Sequence, residues 1–250
     1  MREHKKSLRR NCSGQLLIVA ALAIALLISS TTVYVYEVSK EPVTDESKQL
    51  FLYLPGLKQS TRKTAISSLA NISKGGETAV FETNLAELSD NMLSLDFGIC
   101  NLAYTSLNES SYDSGILLSW NKTDTNISGA YANFTLNIYG INSKISTQYS
   151  VNITTTLFLT SIAVNTDTVK HVNLTCNVSN EDKPASAESF VAYFEESGIW
   201  TKIESSAVLQ TDYGNGTYSL DFTVPLESTQ LLLQMNDLRG IQVQAKCDIT

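Results

Sequence analysis

Two histidines, His4 and His171, and four cysteines, Cys12, Cys100, Cys176 and Cys247, are all the imidazole and thiol chemistry this chain carries. No two cysteines stand as CxxC, so neither a zinc ribbon nor a thioredoxin-like site is expected. The GxSxG elbow, the Walker A loop and HExxH are absent. His171 follows Lys170 within a strand-like segment and reads as a surface residue, and no spacing singles out a pair of carboxylates for acid–base work. Asp124-Thr125-Asn126-Ile127-Ser128-Gly129 opens like a calcium loop, but Thr135 stands where the closing bidentate acid belongs, so the segment reads as a β-turn. No catalytic residue, no metal ligand and no cofactor is assigned, and the expectation is a protein that is not an enzyme.

The chemistry the sequence does repeat is that of modification. Nine N-x-[ST] sequons begin at Asn71, Asn108, Asn121, Asn126, Asn133, Asn152, Asn173, Asn177 and Asn215. A single sequon is weak evidence in a chain rich in Ser and Thr. Their setting is more informative: Asn133, Asn152, Asn173 and Asn177 fall on the polar parity of strand-like segments, opposite the apolar series, and a glycan must project into solvent. Asn215 lies in a turn. A tenth, at Asn11, lies on the side expected to remain in the cytoplasm.

The elements that must position these residues come in two periods. Between 77 and 97 the stripe Phe81, Leu85, Leu88, Met92 and Leu95 predicts a helix. Ile66, Leu69 and Ile72 predict a second one before Gly75-Gly76, the pair making a helical hairpin, while Pro42 and Pro55-Gly56 read as interruptions. From about residue 99 the period is two. Phe134, Leu136 and Ile138 alternate with polar residues, and so do Tyr149, Val151 and Ile153, then Val172, Leu174, Cys176 and Val178. Tyr218, Leu220, Phe222 and Val224 follow, and last Ile241, Val243, Ala245, Cys247 and Ile249. These are half-buried antiparallel strands, and Tyr213-Gly214-Asn215-Gly216 is a turn. Cys176 and Cys247 both lie on the apolar parity. In an exported chain they are expected to pair, closing a loop worth about 3–5 kcal/mol, the alternative being two separate buried thiols. Cys100 then stands as a buried thiol or a bridge between chains.

Charge and hydropathy divide the N-terminus from the rest. The net charge is −7, but Arg2, Lys5, Lys6, Arg9 and Arg10 against Glu3 give residues 1–14 a charge of +4, which leaves −11 on the remainder. An acidic body without basic patches argues against nucleic acid as a partner. Leu16–Ile28 is unbroken and apolar, and uncharged residues extend it to Tyr36. Residues 15–36 therefore read as a single transmembrane helix in the lipid bilayer. Positive charge before it and Glu37, Glu41, Asp45 and Glu46 after it place the N-terminus in the cytoplasm and the bulk of the chain outside. The same run would also serve as the core of a signal peptide cleaved among the small residues 29–32, although no A-x-A stands there.

The basic tail, Ser13-Gly14-Gln15 and the apolar segment behind them resemble the class III signal of archaeal type IV pilins and related surface proteins. The resemblance covers about 25 residues and implies cleavage between Gly14 and Gln15, with the apolar segment kept as an anchor or packed in a filament core. Val19 stands where many pilins carry Glu, and Ser13 where a basic residue is common. The domains expected are a basic leader (1–14), the pilin-like transmembrane helix (15–36), a helical stalk (37–98), a β domain (99–164) and an immunoglobulin-like β-sandwich (165–250). The expected function is that of a membrane-anchored, glycosylated, structural or adhesive surface protein that meets copies of itself or other surface proteins. The alternative is a monomeric ectodomain that captures a ligand.

Overall fold

The computed structural model describes residues 13–40, 43–93, 99–109, 111–120, 125–139, 144–166 and 168–249. Two compact units divide it, Met1–Gln49 and Leu50–Thr250. In the first, helix α1 spans Ser13–Lys40. Ser30, Thr31 and Thr32 sit in its interior with their hydroxyls donated back to the carbonyls of Leu27 and Ile28, the local bond that lets such residues stay helical.

Among the described residues no helix is long and apolar enough to cross a membrane, so the transmembrane helix expected at 15–36 is corrected. The apolar run Leu16–Ile28 has 13 residues. At about 1.5 Å per residue it covers roughly 20 Å of a hydrocarbon layer about 30 Å thick, and the next four positions are hydroxyl residues. The chain is instead mainly antiparallel β, with three helices among the described residues.

Helix α2 (Val43–Ser73), which enters the second unit at Leu50, continues through Pro55, so Pro55-Gly56 is not the interruption expected; the helix forgoes the bond that proline has no N–H to make. Helix α3 (Ala79–Leu93) lies inside the expected 77–97. Lys74 and Gly75 close α2 with backbone bonds to Asn71 and Ile72, and Gly75 takes φ +101°, a conformation open to glycine. Across the turn Asn84 Nδ2 donates to Ser68 Oγ at 2.9 Å, joining the two helices. Phe81, Leu85 and Met92 of α3, and Leu69 and Ile72 of α2, are buried in one core. Leu95 lies outside the described residues.

The strands are β1 (Ile99–Ser106), β2 (Ile116–Ser119), β3 (Asn126–Tyr139), β4 (Lys144–Asn165), β5 (Val169–Asn180), β6 (Lys183–Pro184), β7 (Ala187–Glu196), β8 (Ile199–Lys202), β9 (Leu209–Asp212), β10 (Thr217–Pro225), β11 (Gln230–Asp237) and β12 (Gln242–Asp248). The large sheet runs β1-β3-β4-β5-β10-β9, with β2 beside β3 and β6 beside β5; the small sheet runs β12-β11-β7-β8. The expected turn at 213–216 joins β9 to β10, with Gly214 and Gly216 at positive φ. A side chain at Gly216 would come within 2.7 Å of the Val178 carbonyl, so the turn closes against β5 only because it carries none.

The boundary drawn near 165 falls between β4 and β5, which pair from Thr155↔Asn180 to Asn165↔Lys170. One sheet therefore serves both β segments. Its inner face covers two cores in succession. Val151 and Ile153 of β4 pack with α2 and α3, whereas Leu157 and Leu159 pack against the small sheet.

Between these cores lies Thr155, fully buried, at the centre of a polar network. Its hydroxyl donates to Asp237 Oδ2 at 3.0 Å and accepts from Arg239 Nη2 at 2.8 Å. The buried Asp237 carboxylate also receives Arg239 Nε at 2.8 Å and the backbone N–H groups of Arg239 and Ile241. Arg239 reaches on to Glu181 Oε1 at 2.7 Å and to the Thr154 carbonyl, and Arg62 of α2 meets Glu181 Oε2 at 3.1 Å. The β11–β12 turn, β4, the β5–β6 turn and α2 are thus joined by one set of charged bonds.

Candidate functional site on the outer face of the large sheet

Alternation fixes which residues the large sheet turns outward. Ala132, Phe134 and Leu136 of β3 are buried while Asn133 is exposed; Val151 and Ile153 of β4 are buried while Asn152 is exposed; Cys176 and Val178 of β5 are buried while Asn177 is exposed. These sequon asparagines share the face that carries neither the helices nor the small sheet. Asn215, in the β9–β10 turn, and Asn71 and Asn108 elsewhere are exposed as well.

Attachment of a glycan needs a free carboxamide nitrogen, and the sequons differ in this. Asn133 Oδ1 accepts from Tyr131 at 3.1 Å, Asn177 Oδ1 from Thr217 Oγ1 at 2.9 Å and Asn215 Oδ1 from the Thr217 N–H at 3.1 Å. In each the oxygen is held and the nitrogen has no partner among the described residues. Asn173 is the reverse. It is half-buried, and its Nδ2 donates to Ser219 Oγ at 3.0 Å and to Asp221 Oδ1. A hollow of about 430 Å³ opens beside Asn177 and Asn215, floored by Phe158, which is 41% exposed.

Two sequons leave the list for different reasons. Asn126 is 1% exposed, so the fold has no room for a glycan on it. It belongs to the same parity as Phe134 and Leu136, a signal already present in the sequence once β3 is extended back to its start. Asn121 lies outside the described residues, as do Cys12, His4 and most of the basic leader. Gly14 and Gln15 fall in the first turn of α1.

The expected Cys176–Cys247 disulfide is corrected: both are free thiols. Cys176 faces inward from the large sheet opposite Leu159 and Tyr218, and Cys247 lies in the small sheet opposite Leu231. They share a core without reaching bonding distance. Burial pushes the Cys176 thiol far up, and burial likewise takes Cys247 up to about 11, with the Ser161 hydroxyl opposing it. Cys100 is 1% exposed and also raised by burial, so a bridge to another chain has no accessible sulfur there. Thiolate is the reactive form. Under native conditions none of these three is expected to react with an aromatic disulfide reagent, and all three should do so once the chain is unfolded without reductant. A native protein that hides a pair after denaturation would contradict the assignment.

His171 is exposed on the outer face, beside Val164 and Thr223. Its neighbour Lys170 was not singled out by the sequence reading. It is 6% exposed, with Nζ donating to the carbonyls of Ser228 at 2.8 Å and Ile249 at 2.7 Å. The lysine thereby ties the β10–β11 turn to the residue that follows β12. Its inward parity with Val172 and Leu174 was the available signal. Residues 126–129 of the calcium-like fragment are strand, and among the described residues no group of three or more His, Cys, Asp or Glu could hold a metal ion.

No protein-family model, curated protein or solved structure matches the chain.

Proposed function

We propose that this chain is an exported, N-glycosylated surface protein with a structural or adhesive role, processed between Gly14 and Gln15 in the manner of a class III signal. The observation that carries the reading is the alignment of Asn133, Asn152 and Asn177 on one uncovered sheet face. Two of these three hold the amide oxygen while leaving the nitrogen open. The acidic remainder and the scarcity of charged residues, 17% of the chain, agree with a surface made of neutral polar groups and sugars.

Helix α1 supplies the means of assembly in this reading. Ile24, Leu26, Leu27, Ile28, Val33, Tyr34 and Val35 are 57–69% exposed, more apolar surface than a soluble monomer leaves open. Copies of the same helix, or other surface proteins, would cover it. The partners are therefore copies of the chain or neighbouring surface proteins, with no nucleic acid. Site-resolved mapping of glycans on protein from its native source tests the reading: a chain modified on the outer face supports it, and a chain without glycans overturns it.

The second reading is a monomeric ligand-capturing module, favoured by a polar cleft at the edge of the small sheet. Sedimentation separates the two, since assembly gives a species larger than 27.4 kDa before any glycan is counted.

A further inference from the structure

The cleft has a volume of about 500 Å³ and lies between the α2–α3 turn and the outward side chains of the small sheet. Gln234 and Gln244 stand directly opposite each other on β11 and β12, on the face away from buried Leu233, Met235, Val243 and Ala245. Trp120 forms one wall, and Lys74 and Thr78 border the other side. The walls are tied together before any ligand arrives. Trp120 Nε1 donates to Ser128 Oγ at 3.0 Å, Ser128 Oγ donates to the Gln242 carbonyl at 2.6 Å, and the Gln242 N–H donates to Ser73 Oγ at 2.9 Å. The indole N–H is spent on this scaffold, so the ring is held in place and offers the cleft its carbon surface. By contrast the Gln234 and Gln244 carboxamides and the Lys74 ammonium have no hydrogen-bond or ion-pair partner among the described residues.

We propose that this cleft binds a hexopyranose, as a free sugar or as a terminal unit of a glycan. A pyranose combines an apolar C–H face with a rim of hydroxyls that both donate and accept. The cleft offers the complement: a fixed aromatic ring, two carboxamides that each donate and accept, a hydroxyl and one ammonium. A single lysine among neutral amides does not suit a phosphate, which draws on several cations or on converging backbone N–H groups. A lipid chain would leave the carboxamides buried without partners. The volume is within the range of small-molecule sites. Sugar capture here does not depend on export or on modification of the sequons, and it stands or falls apart from them.

The test uses the full chain with Trp200→Phe, leaving Trp120 as its one indole. Glucose, galactose, mannose and N-acetylglucosamine, each with its β-linked disaccharide, are titrated while indole emission is followed. At least one should give a saturable change with half-saturation on the order of 1–10 mM, the range open to a ligand of that size. Gln234→Ala with Gln244→Ala should weaken it ten-fold or more at unchanged circular dichroism and Tm. If the double variant shifts Tm, Gln244→Ala alone carries the comparison. No saturable response across the set, or one that the glutamine variants retain, overturns the proposal.

Discussion

Arg239→Ala is expected to lower the free energy of unfolding by about 3–5 kcal/mol. The loss arises from what is left behind. Asp237 is fully buried, and Arg239 is the cation that meets it, at 2.8 Å. Truncation leaves the carboxylate with Thr155 and two backbone N–H groups but no counter-charge, and it also removes one of the donors to the Thr154 carbonyl and one of those to Glu181. Arg62→Ala, in the same network, is expected to cost under about 1 kcal/mol, since its side chain is 46% exposed and screened by water. Urea denaturation of the three proteins measures both. Equal small losses would mean that the two cores hold together without the network. Because the network lies where β4 passes from one core to the other, a lowered m-value in Arg239→Ala would further show the cores unfolding separately.

Phe81→Ala should cost about 3–5 kcal/mol. Phe81 is fully buried and packs over the chain at Gly115, where an added Cβ would lie 2.8 Å from the ring and 2.7 Å from the Tyr131 carbonyl. The floor beneath the ring is therefore the backbone of the turn that leads into β2, held by the bonds of Gly115 to Leu107 and Tyr131, and it cannot collapse into the space that truncation opens. Leu88, on the same stripe of α3 but only partly buried, should cost less than half as much when changed to Ala. Comparable losses at both positions would mean that α3 does not dock through Phe81.

Alternation made much of this fold legible. The β series read from the sequence fall on strands with their apolar members inward, the last of them running one residue past β12 at each end, and the helical stripe at 81, 85 and 92 is buried as spaced. What alternation also held, and the reading passed over, is a set of polar residues on inward parity: Asn126, Ser128, Thr155, Lys170 and Asp237. Each is buried: Ser128 belongs to the scaffold of the cleft, Thr155 and Asp237 to the network between the cores, and Lys170 ties Ser228 to Ile249. A polar residue in an inward register announces a buried bond but not its partner, which lies in another strand or turn 58 to 114 residues away in the bonds of Lys170, Thr155 and Ser128. The cysteines mark the same limit from the apolar side. Parity sent Cys176 and Cys247 into one core correctly, but parity gives a face and not a distance, and sulfurs must meet within a narrow geometry. The N-terminal segment was misjudged by counting uncharged residues as apolar ones. The sharing of one sheet by residues 99–164 and 165–250 was hidden because a strand of 22 residues carries no mark of where its two cores divide.

The most direct test of the account is glycopeptide mass spectrometry of protein from its native source, resolved at Asn173 and Asn177. These sequons, Asn-Leu-Thr and Asn-Val-Ser, lie four residues apart on one strand and one face, and they differ in the partner of the carboxamide nitrogen. The account predicts glycan at Asn177, with Asn133, Asn152 and Asn215 also modified, and bare asparagine at Asn173 and Asn126. Glycan at Asn126 or Asn173 with Asn177 bare would contradict it.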